Sequence, residues 1–308
     1  MSSRLVLPNL VIAGVGRSGT TAMYQYLIEH PDVCGSKKKE ISYFVDAIYG
    51  TPLAPIESYA ALFDHHDGER ILVEATPSYF SCGRMVAELI DRTLGPEAKI
   101  VVSLRDPAVR LVSSYNLYLS RRWIDPGTTL EEYVDMCQRS PSVREGRDEN
   151  LQKYQGYHGG FYADVLPDWI SAFGDRLLVV FFERLQADTA RFMIELADWL
   201  GIDAAFYGNR DFEIQNPTQP FRFGPIHRLA NAVNDKAEFW LRRRPALKNA
   251  LRKMYASVNG VTAPSTGADA EVRQRLRDIY ADSNHRTRAL LEACGYTELP
   301  GWLSPASS

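Results

Sequence analysis

The sequence predicts an α/β fold, a P-loop-type domain whose mostly parallel central sheet is flanked by helices. Three observations predict it. Apolar runs of strand length recur along the chain, bounded by turn residues. Nearly every run leads into a segment whose apolar residues repeat at helical spacing, and strand-helix alternation of this kind builds a parallel sheet. The first run passes into its helix through a glycine-bearing turn, Gly14-Val15-Gly16-Arg17-Ser18-Gly19-Thr20-Thr21.

The elements follow in order. Leu10 to Ala13 is the first strand, and Thr20 to Glu29 follows as a helix with Ala22, Met23, Tyr26 and Leu27 on one face. Ile71 to Val73 is the second strand and Ile100 to Leu104 the third. The third leads into a helix over Pro107 to Ser120, capped by Asp106 with Pro107 at its first position, and with Val109, Val112, Leu117 and Leu119 as its apolar residues. Leu177 to Phe182 is the last strand, and Thr189 to Leu200 packs through Phe192, Leu196, Trp199 and Leu200. A charged final helix spans Ala270 to Cys294 and ends at Gly295 as C-cap.

At 308 residues and 45% hydrophobic composition, the chain can bury one large core. We expect a single domain over 1–308, with its core in 8–215 and 268–300 and a helical, basic insert at about 216–267. In that insert Phe221, Phe223, Phe239 and Trp240 alternate with Arg222, Arg228, Arg242 to Arg244, Arg252 and Lys253. It reads either as a solvated helical hairpin capping the core or as a basic amphipathic surface, at 221–253, for peripheral membrane contact. Lys+Arg 35 against Asp+Glu 38 gives a net charge of -3, so no global basic field attracts nucleic acid. Cys34, Cys82, Cys137 and Cys294 have neither metal-type nor C-x-x-C spacing and read as reduced residues. With no leader-like segment and no long apolar run, the expectation is a cytoplasmic protein without a transmembrane segment.

Four motifs carry candidate chemistry. A nucleotide P-loop reads G-x-x-x-x-G-K-[ST]; here Thr20 stands at the lysine position, and Arg17 supplies a cation from the other side of the loop. Ser18, Gly19, Thr20 and Thr21 can offer amides and hydroxyls to a phosphate at the start of the following helix. At the end of the third strand, Arg105 and, two helical turns later, Ser113 can reach one phosphate together; capping accounts for Asp106 and Pro107 but not for Arg105. Lys37-Lys38-Lys39-Glu40 sets a carboxylate beside three lysines, which favours its ionised form and suits a proton acceptor, although such charge runs are also common in solvated loops. Val73-Glu74-Ala75-Thr76-Pro77-Ser78-Tyr79-Phe80 places an acid and hydroxyls at another strand end.

Together these four motifs resemble the sulfotransferase superfamily, and most closely the heparan sulfate sulfotransferases and their bacterial relatives. The resemblance runs from about Leu10 to Leu200 and continues weakly through Gly159-Gly160-Phe161-Tyr162 and around Asn284. It implies a sulfuryl donor, 3′-phosphoadenosine 5′-phosphosulfate (PAPS), with 3′,5′-ADP (PAP) as product and no metal. It implies that Arg17, Ser18, Gly19, Thr20 and Thr21 bind the 5′-phosphosulfate, that Arg105 and Ser113 bind the 3′-phosphate, and that Glu40 is the general base, with Arg17 also catalytic. It puts Lys39, Glu74, Thr76 and Tyr79 near the reacting hydroxyl or amine of an acceptor that is a carbohydrate, a lipid or a small molecule.

Two departures stand against the resemblance. Ala75 occupies the position of a lysine in the glycan 3-O-enzymes, and Val261 to Gly267 lacks the family's late Lys-Gly-Arg loop, a gap Arg252 or Lys253 would have to fill. The rival readings are a small-molecule kinase using ATP and Mg²⁺, or a non-catalytic nucleotide-binding module. His65, His66 and His158 are the alternative bases. Tyr154, Tyr157, Phe161, Phe221 and Phe223 suggest a partly apolar or sugar acceptor.

Overall fold

The computed structural model describes residues 5–143, 149–208, 210, 212 and 267–304. Its sheet is parallel throughout, with β1 (Leu10–Gly14), β2 (Val33–Gly35), β3 (Ile71–Ala75), β4 (Lys99–Leu104) and β5 (Leu177–Phe181) in the order β2-β3-β1-β4-β5. The four predicted strands all form. β2 is not among them: its three residues are too few to carry a periodic signal, and it pairs at the edge through Val33↔Ile71 to Gly35↔Val73.

The helices follow as α1 (Thr20–Leu27), α2 (Ile56–Ala60), α3 (Arg84–Leu94), α4 (Pro107–Ser120), α5 (Leu130–Arg139), α6 (Leu166–Phe173), α7 (Phe182–Ala187), α8 (Thr189–Leu200), α9 (Ala205–Gly208) and α10 (Gly267–Ala293). Side chains alternate across each strand, and both sheet faces are covered, which is why β1 reads as an unbroken apolar run. Val11 and Ala13 pack with Val86 and Ile90 of α3 and Trp169 of α6. Leu10 and Ile12 pack on the other face with Met23 and Leu27 of α1 and Phe192 and Leu196 of α8. Each such side chain contributes about 1.5–3 kcal/mol through burial.

A third cluster joins α4, α5 and α10 through Leu111, Val112, Tyr133, Leu276 and Tyr280. The expected apolar face of α4 is corrected here. The buried residues are Pro107, Ala108, Arg110, Leu111, Val112, Ser113 and Ser114, whereas Val109, Leu117 and Leu119 are only partly covered. Beside its apolar residues α4 buries polar ones, with Arg110 donating to the Gly156 carbonyl and Ser113 accepting from Arg17 Nε. The predicted insert at 216–267, with Arg252 and Lys253, lies outside the described residues apart from Gly267.

The strand order has a consequence for function. β1 is central, the chain reaches β3 on one side of it and β4 on the other, and the loops after these strands therefore diverge around a crevice at their carboxyl ends.

Candidate active site

The loop after β1 is shaped by its glycines. A Cβ on Gly14 would lie 2.5 Å from Phe80 Cβ, and one on Gly19, at φ +78°, 2.8 Å from both Leu185 and Phe182. A Cβ on Gly16 would meet nothing within 4 Å. Two glycines thus let the chain pack, and the third faces open space. The loop is lashed to β4 by Val15 N–H donating to the Ser103 carbonyl (2.9 Å) and Ser103 Oγ donating to the Ser18 carbonyl (2.6 Å).

α1 starts at Gly19 with no side-chain cap and no acidic residue in its first turn. Its first amides therefore have no capping oxygen, and the helix presents its positive end to the crevice. Thr20 is buried and Thr21 half-buried. Ser18 departs from its expected role as a direct phosphate contact. It is turned inward and wholly buried, its N–H donates to the Val15 carbonyl, and its hydroxyl is an orphan with no partner.

Arg17, held at φ 71°, donates from Nε to Ser113 Oγ (3.0 Å). Arg105 Nη1 donates to the Arg17 carbonyl (2.8 Å), its guanidinium lies 4.3 Å above the Phe182 ring, and its own carbonyl accepts from Tyr162 Oη (2.7 Å). Three segments therefore bring Arg17, Arg105 and Ser113 into one cluster. Burial, then the neighbouring charges of Arg105 and Arg121, push the Arg17 pKa down. Burial lowers that of Arg105 as well, opposed in part by Glu183. Two desolvated cations that repel each other, an uncapped helix and an open glycine form a donor set that suits a multiply charged phosphate anion.

The Glu40 segment is anchored at the end of β3, which neighbours β1 in the sheet. Glu40 N–H donates to the Ala75 carbonyl (3.0 Å) at the end of β3, whose Ala75 is paired with Ile12 of β1. The expected cluster of three lysines does not form: Lys37 pairs with Asp64, Lys38 is exposed, and Lys39 alone reaches Glu40, with Nζ 2.8 Å from Oε1. The Lys39 side chain is 10% exposed and the Glu40 side chain 60%, so the carboxylate points into solvent while the lysine supports it from below.

Glu74, Thr76 and Tyr79 are corrected as acceptor-facing residues. Glu74 is fully buried, accepting from Thr76 Oγ1 and Tyr79 Oη at 2.7 Å each and from Tyr59 Oη. Burial raises its pKa, and the three hydroxyl donors counter part of that rise. Thr76 and Tyr79 are buried with it, so none of the three offers an accessible atom to an acceptor. Among the alternative bases, His65 contacts Cys34 Sγ (3.5 Å) and His158 the Ser140 carbonyl (2.7 Å). Tyr154, Tyr157 and Phe161 pack, half-buried, against the α4-α5-α10 cluster.

Sequence reasoning missed Tyr59, Tyr162, Phe182 and Glu183, whose Oε1 accepts from Asp106 N–H (3.0 Å). Phe182 and Glu183 directly follow β5, and position at a strand's carboxyl end was the available signal; Tyr59, on the short helix α2, had none. Among the described residues there is no group of His, Cys, Asp and Glu that could hold a metal, and no helix long and apolar enough to cross a membrane.

Comparison with known proteins agrees with the loops and the sheet. A family model described as a sulfotransferase domain matches residues 7–216. Human heparan sulfate glucosamine 3-O-sulfotransferase 3B1 is 30% identical over 210 residues, covering 66% of this chain and 50% of the relative. The chain thus spans about half the length of the curated relatives it matches at this level. The membrane-associated sulfotransferase kil1 of Dictyostelium discoideum is 35% identical over 123 residues, 39% of this chain and 24% of that protein. Among solved structures, a sulfotransferase from Alicyclobacillus acidocaldarius aligns with a TM-score of 0.67 at 19% identity, covering 97% of this chain and all of that one, a likeness of fold. These matches overturn the cytoplasmic expectation, since a relative is named as membrane-associated and others as enzymes of heparan sulfate. The composition of a catalytic domain does not report the compartment it works in.

Proposed function

The chain belongs to the sulfotransferase domain family, and from that premise we propose that residues 1–308 form one domain that transfers a sulfuryl group from PAPS to an acceptor hydroxyl. The observation that carries this reading is the meeting of Arg17, Arg105 and Ser113 at the ends of β1 and β4. A simple triphosphate site has no use for a second arginine-serine pair, whereas a nucleotide with phosphates on both its 5′ and 3′ positions does.

The donor supplies an activated sulfur whose bond to the 5′-phosphate breaks as the bond to the acceptor oxygen forms. Arg17 and the amides of Gly19, Thr20 and Thr21 neutralise the charge that grows on the departing phosphate oxygen. Arg105 and Ser113 hold the 3′-phosphate, and so fix the nucleotide for in-line displacement. Glu40 takes the acceptor proton, a contribution on the order of 10²–10⁴-fold. Lys39, paired to Glu40 through Nζ, orients that carboxylate. The relatives named for heparan sulfate favour a glycan hydroxyl as acceptor, and Ala75 at the glycan enzymes' lysine position makes its recognition differ from theirs.

Two measurements test the reading. PAP should raise the melting temperature and ATP with Mg²⁺ should not; at 100 times Kd the stabilisation is about 2.7 kcal/mol. Glu40→Gln should keep PAP affinity and lose turnover by about 10²–10⁴-fold. Stabilisation by ATP with Mg²⁺ alone would point to phosphoryl transfer, and normal turnover by Glu40→Gln would remove Glu40 as the base.

A further inference from the structure

The segment that carries Glu40 is strained. Glu40 and Ser42 both sit in the left-handed region, at φ 59° and 60°, where side chains other than glycine are disfavoured. Such a conformation persists only where its surroundings over-determine it, and these outliers concentrate at functional sites. Three backbone donors of the segment are held. Glu40 N–H reaches the Ala75 carbonyl, Ser42 N–H reaches Thr76 Oγ1 (3.1 Å) and Phe44 N–H reaches Tyr79 Oη (3.4 Å). Both hydroxyls that accept these bonds also donate to Glu74 Oε1.

The chemistry of the partners fixes the direction of this relay. A backbone N–H can only donate, and an ionised carboxylate can only accept. A hydroxyl has one proton and two lone pairs, so Thr76 and Tyr79 each accept from the segment through a lone pair while directing the proton at Glu74. Its other oxygen accepts from Tyr59, whose ring stacks on Tyr43 of the same segment with centroids 4.4 Å apart and planes 7° from parallel. One buried carboxylate therefore orders three hydroxyls: two accept from the Glu40 segment, and the third belongs to a ring that stacks on it.

We propose that Glu74, acting through the Thr76 and Tyr79 hydroxyls, is the positioning residue that holds the Glu40–Phe44 segment, and with it the Glu40 carboxylate, in its working place. The proposal rests on the reading of Glu40 as general base. It also gives a use to a fully buried acid that does not face the acceptor, at the end of a strand next to the donor loop.

The relay can be cut without touching the donor site. Thr76→Val keeps the shape and removes the hydroxyl, Thr76→Ser restores it, and Tyr79→Phe cuts the second branch. Each is measured for kcat, acceptor KM, PAP Kd and melting temperature. Displacing a catalytic group by about 1 Å costs up to about 100-fold. Thr76→Val and Tyr79→Phe should each lower kcat by about 10- to 100-fold with PAP Kd within about twofold of wild type. Thr76→Ser should recover most of the loss. In a Glu40→Gln background, Thr76→Val should cause no further fall, because a displaced base that is already absent cannot be lost twice. Unchanged kcat in Thr76→Val and Tyr79→Phe, with Glu40→Gln inactive, would overturn the positioning role and leave the base intact. So would losses for Thr76→Val and Glu40→Gln that multiply. Full turnover by Glu40→Gln would instead reject the base assignment itself. If Thr76→Val fails to fold, Tyr79→Phe decides by the same readouts.

Discussion

Replacing Arg105 separates the two ends of the proposed donor site. Arg105 makes a 2.8 Å bond to the Arg17 carbonyl and lies over Phe182, and in the proposed donor site its other donors hold the 3′-phosphate. A charge-assisted hydrogen bond contributes about 1.5–3 kcal/mol. At 1.4 kcal/mol per decade, Arg105→Ala should weaken PAP binding by about 10- to 150-fold. Arg105→Lys keeps the charge but loses the planar fork and its stacking on Phe182, and should fall between Arg105→Ala and wild type. Titration calorimetry with PAP and, separately, with 5′-AMP isolates the effect, since only PAP carries the 3′-phosphate. The variant should lose affinity for PAP and hold its weaker affinity for 5′-AMP within about threefold, the scatter expected when a contact is untouched. Equal losses for both nucleotides would show that Arg105 acts by shaping the Arg17 loop and would refute its assignment to the 3′-phosphate.

Other predictions concern the glycines and the buried acid. Gly14→Ala and Gly19→Ala, which force a Cβ to within 2.8 Å of packed side chains, should lower stability by about 1–3 kcal/mol. Gly16→Ala should melt like wild type yet bind PAP more weakly, since its added methyl projects only into the space where the ligand sits; a Gly16→Ala melt as low as that of Gly19→Ala would contradict this. Burial holds the Glu74 carboxyl above its ordinary value of 4.5. The folded protein therefore binds that proton more readily than the unfolded chain does. Its contribution to stability is fully present below the unfolded value and is lost as pH rises through the folded one. Glu74→Gln lacks this titration, so denaturant melts of both proteins should show the difference shifting toward wild type as pH falls from about 7 toward 4.5. A difference independent of pH would mean the carboxyl is not perturbed in the way its burial requires.

Much of the candidate site's geometry was legible in the sequence because it is built from contiguous motifs at strand ends. Four strands and the helix at Thr189 follow from apolar spacing, the helix at Pro107 from its Asp-Pro start, and with β1 next to β4 Arg17 and Arg105 meet at their carboxyl ends. The sheet order that seats β1 between β3 and β4 is what makes Arg17 and Ser113, 96 residues apart, touch. The errors have a common physical origin. Glu74 reads as functional because acids at strand ends usually face ligands, and its burial depends on Tyr59, a residue on a short helix with no local link to it. Ser18 stands where P-loop hydroxyls often meet a phosphate, but the fold encloses it completely, with its carbonyl accepting from Ser103 Oγ. Likewise, three successive lysines cannot all point at one neighbour, and Asp64, brought in by the fold, takes Lys37.

The most direct test of the whole account is transfer of labelled sulfate from PAPS by the purified protein, offered glycan, lipid and small-molecule hydroxyl acceptors in parallel. The account predicts acceptor-dependent transfer with one PAP released for each sulfate moved, strongest on a glycan, and loss of that transfer in Glu40→Gln. Tight PAP binding with no transfer to any acceptor class would contradict it, leaving a nucleotide-binding module in place of an enzyme.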